Sequence, residues 1–387
     1  MRWALEDGSP DRRPISDADC TVRSDVKVSR TRTMRSVIES PVGEFAMATA
    51  WHVPIGHAGA EVSRGIHIAL LGPHRRPPRY ARGMTRAAMY NEVGGPEVLF
   101  VTEVEDPSPG ARKVLVAVEA AGLNPYDAKA RGGFIPSDAP FPRRIGGDFA
   151  GTVIAVGEGA AYADGTPVSV GDAVMGRAAG AIADQVVANA AEIARRPEGL
   201  AVEVAGGLHV AGLTAVSCLA TVPVDEDDVV LVGGASGAVG LVASQLAIAR
   251  GARVIGSASV ANHDFLRSLG VEPVEYGDGL ADRVRELGEI TAVMDCHGRD
   301  ALDAGVVLGV PADRMVAIAA YAALDELGVH NVEREARTPE NLRALGEDIA
   351  AGRIVFPVVA TYPLDDVVAA FQALESSHDP GKIVVLP

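Results

Sequence analysis

The sequence predicts an α/β protein in which a doubly wound parallel sheet is inserted into a β-rich lobe, and three observations carry that prediction. The first is the stretch Val229-Val230-Leu231-Val232-Gly233-Gly234-Ala235-Ser236-Gly237-Ala238-Val239-Gly240. It opens with β-branched and aliphatic residues that do not alternate with polar ones, the pattern of a strand buried on both faces. Glycines break the strand, residues 241–250 have helical composition, and Gly251 stands where a helix C′ residue is expected. Residues 253–258 follow as a second strand and complete a βαβ unit. The second observation is a run of short strands with Gly/Pro turns from Met84 to about Gly199. The third is the end of the chain, Gly381-Lys382-Ile383-Val384-Val385-Leu386, again a strand and expected to return to the β-rich lobe.

A strand, a glycine turn and a helix N-terminus together form an anion site. The turn brings backbone close to a pyrophosphate, and unpaired N–H groups with the helix dipole face its charge. Ala235, Ser236, Gly237, Ala238, Val239 and Gly240 are therefore the expected dinucleotide cradle.

The totals narrow the function classes. The chain has 387 residues, enough for two domains, with 48% hydrophobic and 22% charged residues. No apolar run is read as approaching a membrane span. A formal charge of −16 argues against nucleic acid or an anionic membrane as partner. Cys20, Cys218 and Cys296 are far apart without CxxC spacing, which suits a reducing, cytoplasmic compartment and no structural metal.

Residues 1–83 differ from the rest. They are net basic, hold Arg12-Arg13-Pro14 and Arg75-Arg76-Pro77-Pro78, and lack hydrophobic periodicity. Their acids argue against a transit peptide, and no apolar stretch follows Arg13 as a twin-arginine signal requires. His52, His57, His67 and His74 are too irregularly spaced for a metal site. A disordered extension, or sequence upstream of a natural start at Met84, is expected. Strands are then read at residues 86–90, 98–101, 113–120 and 151–157. Strand–helix alternation begins near Ala211 and runs to about Glu347, with later strands at 292–295, 315–318 and 327–330. The expected organisation is a β-rich domain over 84–210, completed by about 348–387, around a dinucleotide-binding domain over 211–347.

This order resembles the medium-chain dehydrogenase/reductase superfamily, and most of all its zinc-independent quinone oxidoreductase branch, which includes zeta-crystallin. The resemblance covers about Met84 to Pro387. It rests on Ala121-Gly122-Leu123-Asn124-Pro125-Tyr126-Asp127, Gly146-Gly147-Asp148-Phe149-Ala150-Gly151-Thr152-Val153, Ala211-Gly212-Leu213-Thr214-Ala215, the glycine loop and the Gly381–Val384 ending. It implies a Rossmann domain inserted in a GroES-like β-rich catalytic domain, and a homodimer. Zinc-dependent relatives carry a cysteine at the position of Asn124 and Gly-His-Glu at that of Gly146-Gly147-Asp148. Zinc needs three protein ligands and an open position, which Asp148 alone cannot supply.

NAD sites place an acid about twenty residues past the glycines to bind the ribose 2′-OH. Here Ser257 stands there, followed by Ser259, and the first acid is Asp264 on the next helix. A carboxylate ~4 Å from a 2′-phosphate would cost roughly 4 kcal/mol at an effective dielectric of about 20. Its absence favours NADPH. The resemblance implies a lysine shortly after this serine, where the chain has Asn262-His263, so Arg267, Tyr276 and Lys382 become the candidate phosphate partners. Thr214 matches a threonine near the nicotinamide amide, with a helix-start cap as the alternative. Gly298 matches a backbone position beside the nicotinamide ring; His297 is not cast as a base.

Without a metal, hydride goes to an acceptor that is already electrophilic, a quinone or an α,β-unsaturated carbonyl. The protein positions it and hydrogen-bonds the oxygen on which charge develops. Asn124 offers an amide donor and Tyr126 a phenol, against a turn and simple packing as their plain roles. Two features depart from the family: Ala181-Ile182-Ala183-Asp184 where the pocket-flanking strand often has an aromatic, and His209 where proline is frequent. Two other functions are weighed. One is an NADPH-binding structural or redox-sensing protein with little turnover. The other is an enoyl-thioester reductase, for which no dedicated basic cluster is visible in the sequence.

Overall fold

The computed structural model describes residues 83–387, so the expectation of an extension over residues 1–83 lies, but for Gly83, outside the described residues. In chain order the elements are β1 (Met84–Tyr90), β2 (Leu99–Glu105), β3 (Lys113–Gly122), α1 (Pro125–Arg131), β4 (Arg143–Arg144), β5 (Asp148–Val156), β6 (Ala173–Arg177), β7 (Gln185–Asn189) and β8 (Ala194–Arg195). Then come α2 (Val202–Thr221), β9 (Val229–Gly233), α3 (Ala238–Ala249), β10 (Arg253–Ala258), α4 (His263–Ser268), β11 (Glu272–Glu275), α5 (Leu280–Leu287) and β12 (Ala292–Asp295). The chain closes with α6 (Asp300–Val307), β13 (Met315–Ala317), α7 (Tyr321–Leu327), β14 (His330–Asn331), α8 (Pro339–Ala350), β15 (Val358–Pro363), α9 (Val367–Ser376) and β16 (Lys382–Leu386).

Strands β9 to β14 form one parallel sheet in the order β11-β10-β9-β12-β13-β14. The chain leaves β9 toward one edge and returns on its other side at β12. A crevice therefore opens at the carboxyl ends of these two strands, where doubly wound sheets bind ligands. Val230, Leu231 and Val232 of β9 are fully buried. Such burial stabilises by about 1.5–3 kcal/mol per side chain, which is why an unalternating apolar run marks the sheet's centre. Helix α3 ends as expected, with Gly251 taking φ +95° just past its last turn.

The β-rich lobe is a seven-stranded sheet, β15-β16-β3-β5-β6-β8 with β7 also on β3, beside a three-stranded sheet β2-β1-β4. Strand β16 pairs antiparallel with β3, Val384 opposite Gly122 and Val385 opposite Ala121. The last strand of the chain thus lies against the segment that leads into α1.

Several expectations change. Residues 327–330 are mostly not a strand: Leu327 closes α7, Gly328 turns left-handed at φ +67°, and only His330–Asn331 pairs with β13. Residue 210 falls inside α2, which packs against β3 and β5 of one lobe and α3 of the other. This helix is also long and apolar enough to cross a membrane by length and composition, contrary to the reading that no run approached that. Leu208, Leu213 and Leu219 are buried in it, and its place is the core between the lobes. Helix α9 buries Val367, Ala370 and Phe371 with Phe149 and Val385 of the β-rich lobe, within the segment expected to complete that lobe. The segment 181–184 is no strand; it meets β1 through the single bridge Ala87–Ala183, and Ala181, Ile182 and Ala183 are fully buried.

Candidate active site

The glycine loop is shaped by two places where no side chain fits. Gly234 adopts φ +67°, and a Cβ there would lie 2.5 Å from Cβ of His297; at Gly240 a Cβ would lie 2.3 Å from the Gly234 carbonyl oxygen. Gly237 is exposed and extended as the N-cap of α3, whose first turn holds no acid. Its positive end and free N–H groups are left for a ligand. Ser236, Ala238 and Val239 flank it half-buried, while Ala235 is buried and donates its N–H to the Ser257 carbonyl at 2.9 Å.

Ser257 is 3% exposed, and its Oγ accepts the Gly234 N–H at 3.2 Å. It braces the loop and keeps one O–H to donate. The parallel register sets Ser257 beside Val274 and Ala258 beside Glu275, so Ser257, half-buried Ser259 and exposed Tyr276 gather at one end of the sheet. Arg267 is exposed and already paired with Asp264 at 2.7 Å. The residue that sequence reasoning passed over is Asn262. Its Nδ2 donates to Ser236 Oγ at 3.2 Å and to the His378 carbonyl at 2.8 Å. Together with the bridge between Gly237 and Gly381, it fastens the glycine loop to the segment before β16. Only folding brings these residues together.

Across the crevice, buried Asp295 ends β12. Its carboxylate accepts from His297 N at 3.0 Å, Gly298 N at 2.7 Å, Ala319 N at 3.3 Å and Ala320 N at 3.2 Å. Burial pushes this carboxyl up against those donors. One side chain thereby fixes the loops after β12 and β13, Gly298 included. Thr214 is buried in the body of α2, which starts at Val202, so the helix-start cap does not apply. Cys218 and Cys296, distant in sequence, lie close together, and the neighbouring thiol with burial holds the Cys296 thiol well above its ordinary pKa.

The second part of the site is a buried polar cluster around Asn124. Asn124 is the N-cap of α1, and its backbone N–H donates to Asp127 Oδ2 at 2.9 Å. Its amide Nδ2 donates to Asp148 Oδ2 at 3.2 Å, and its Oδ1 accepts from Lys382 Nζ at 2.5 Å. Lysine only donates and a carboxylate only accepts, so the amide has one possible orientation. One Nδ2 hydrogen stays uncommitted. Asp148, fully buried, also takes the Val210 N–H at 3.2 Å and lies 3.7 Å from Lys382 Nζ.

Lys382 corrects an expectation. It is 3% exposed and threads between Gly122 and Gly207, so its charge is spent on Asn124 and Asp148 rather than on a cofactor phosphate. Burial lowers its pKa, and burial together with the Asp148 charge raises that of Asp127 to about 7. His209 lies 3.9 Å from Asp148 with Nδ1 buried and unpartnered, and burial holds it below its usual pKa. Tyr126 is half exposed in the first turn of α1.

Asn124, Tyr126 and Asp127 line a cavity of about 500 Å3 in the β-rich lobe. Arg143, Arg144 and Arg177 line the same cavity, a basic cluster that the sequence did not reveal. Positions far apart in the chain, on β4 and at the end of β6, supply these cations.

Comparison with known proteins agrees with this architecture. Residues 110–225 match the alcohol dehydrogenase GroES-like domain and residues 272–385 the zinc-binding dehydrogenase domain. A mycobacterial quinone oxidoreductase structure is 34% identical, with TM-score 0.66 over 78% of this chain and 100% of that one. The chloroplastic NADPH-dependent alkenal/one oxidoreductase of Arabidopsis thaliana is 29% identical over 78% of this chain and 79% of its own length. A phenolphthiocerol/phthiocerol polyketide synthase of Mycobacterium tuberculosis is 31% identical over 78% of this chain, and the match spans only 15% of that much longer protein. With a six-stranded parallel sheet, a glycine cradle at its switch point and a β-rich lobe that carries Asn124, the chain belongs to the medium-chain dehydrogenase/reductase superfamily and has quinone oxidoreductases among its relatives.

Proposed function

We propose that the chain is an NADPH-dependent oxidoreductase that reduces a quinone or an α,β-unsaturated carbonyl without a metal. The observation that carries this reading is the fixed Asn124 amide, whose spare N–H belongs to a residue lining the cavity. NADPH supplies the hydride when bound, and the relatives named for quinone and alkenal/one reduction support that choice. The glycine loop and the N-terminus of α3 fit a pyrophosphate, because Gly234 and Gly240 exclude side chains and Gly237 leaves the helix end open. Ser257, Ser259 and Tyr276 offer hydroxyls, not carboxylates, where a 2′-phosphate would lie.

Asn124 donates to the acceptor oxygen as charge develops there, and Lys382 with Asp148 holds the donor still. Asp127, its pKa raised to about 7, can hold a proton at the cavity wall, where the Tyr126 hydroxyl also lies. The donor set does not fit zinc: Asn124 presents an amide, Gly147 no side chain, and the Asp148 carboxylate is already committed to Lys382, Asn124 and Val210.

Steady NADPH oxidation with a panel of quinones and enones separates catalysis from low-turnover binding. Asn124→Ala should lower kcat by about 10²–10³-fold with little change in NADPH affinity. A protein that oxidises simple alcohols and ignores every quinone and enone would overturn the reading.

A further inference from the structure

Among the described residues about half of the arginines pair with a carboxylate, Arg253 with Glu272, Arg299 with Asp303, Arg314 with Asp228 and Arg353 with Asp348 among them. The three that line the Asn124 cavity do not. Arg143 spends its Nε and one terminal nitrogen on the carbonyls of Ala139 and Ser137, at 2.7 and 3.0 Å. Arg144 gives one nitrogen to the Gln185 carbonyl at 3.1 Å, and its Nε is buried with no acceptor. Arg177 is exposed and has no hydrogen-bond or ion-pair partner among the described residues.

A guanidinium carries five donors, so several N–H groups remain unused at this wall. Carbonyls satisfy donors but do not neutralise charge, and burial without a counter-ion already weighs on Arg144 by lowering its pKa. The one acid in the cavity lining, Asp127, is turned toward the Asn124 N–H. The cavity therefore offers an uncommitted amide donor beside three cations that lack a carboxylate.

We infer that the electron acceptor carries its own anionic group, a carboxylate or a phosphate, seated on Arg143, Arg144 and Arg177 while its conjugated carbonyl reaches Asn124. The inference rests on the function proposed above and adds the substrate's charge to it. Planar guanidinium forks bind either oxyanion through paired, charge-assisted bonds. All lining residues belong to the β-rich lobe or to α2, so this anion site is separate from the glycine loop.

The test uses the full chain with NADP⁺ present and non-reducible probes: levulinate, methyl levulinate, and a phosphate monoester of the same keto chain. Calorimetry at low salt should give at least about tenfold tighter binding for an anionic probe than for the ester. The tighter of the two anions assigns the group. In Arg177→Gln, and separately in Arg144→Gln, the anion-to-ester ratio should fall toward one. Equal binding of ester and anions in the wild type, or a ratio that survives both substitutions, overturns the inference. Turnover of acetylacrylate against its methyl ester keeps the two proposals apart. Efficient reduction of both esters and acids leaves the reductase reading standing and removes the anion site. Anion-selective binding with no enone or quinone reduced removes the reductase reading and keeps the site.

Discussion

The glycine loop and the Asn124 cluster meet at adjacent residues of one strand start, since Gly381 bridges Gly237 while Lys382 holds Asn124. They are made in different ways. The loop is backbone: turns with positive φ, a helix N-terminus and close approaches that exclude a Cβ. The cluster is side chains: Asn124 from the turn before α1, Asp148 from β5, a backbone N–H from α2 and Lys382 from β16. A backbone site is encoded in a dozen consecutive residues. A side-chain site needs four segments to arrive together and leaves little local trace.

The largest effect is expected at Lys382, where the side-chain region is most exposed to a single change. Lys382→Met keeps the shape of the stem but strips Asp148 of its cation, and removing one partner of a buried pair costs about 3–5 kcal/mol. Urea unfolding should show that loss, and Lys382→Met combined with Asp148→Asn should recover most of it. A single variant as stable as the wild type would mean that the cluster stores no such dependence. At the loop, Gly240→Ala drives a Cβ toward the Gly234 carbonyl, which is backbone and cannot rotate away. A displacement of about 1 Å costs on the order of 100-fold in affinity or rate. NADPH titration should read that loss while leaving probe binding at the arginines intact, so the two regions fail separately.

The smallest effect is read through pH and belongs to the side-chain region alone. Folding raises the Asp127 pKa from 3.8 to about 7, so between those values the folded chain binds more protons than the unfolded one. Stability from this group is therefore present at low pH and is lost as pH rises through that window. Asp127→Asn keeps an acceptor for the Asn124 N–H and should flatten this part of the profile. Unfolding measured at pH 5 and pH 8 in both proteins checks it; identical pH slopes would show that the carboxyl is not held in that state.

Legibility followed the same division. Strands β9, β10 and β12, the end of α3 at Gly251 and the glycine loop were all readable, because burial on two faces and helix-stop chemistry leave local signatures. Tertiary neighbours decided the rest. Lys382 read as a phosphate ligand because a lysine near the chain's end is ordinarily solvated; only the Gly122 and Gly207 channel directs it inward. Residues 327–330 read as a strand because their apolar members suit one. Val329 is indeed buried, yet the left-handed Gly328 interrupts the run and leaves Leu327 to the preceding helix.

By itself the sequence determined that a strand, a glycine turn and a helix N-terminus follow one another at residues 229–249, since φ freedom, apolar periodicity and helix ends are properties of neighbours along the chain. The tertiary structure alone decided what Asn124 can offer, which thiols lie close together, where Lys382 spends its charge, and that Arg143, Arg144 and Arg177 share one cavity. Those are properties of neighbours in space. Hydrogen-bond direction and charge balance act over a few ångströms, and only folding sets which residues lie within that reach.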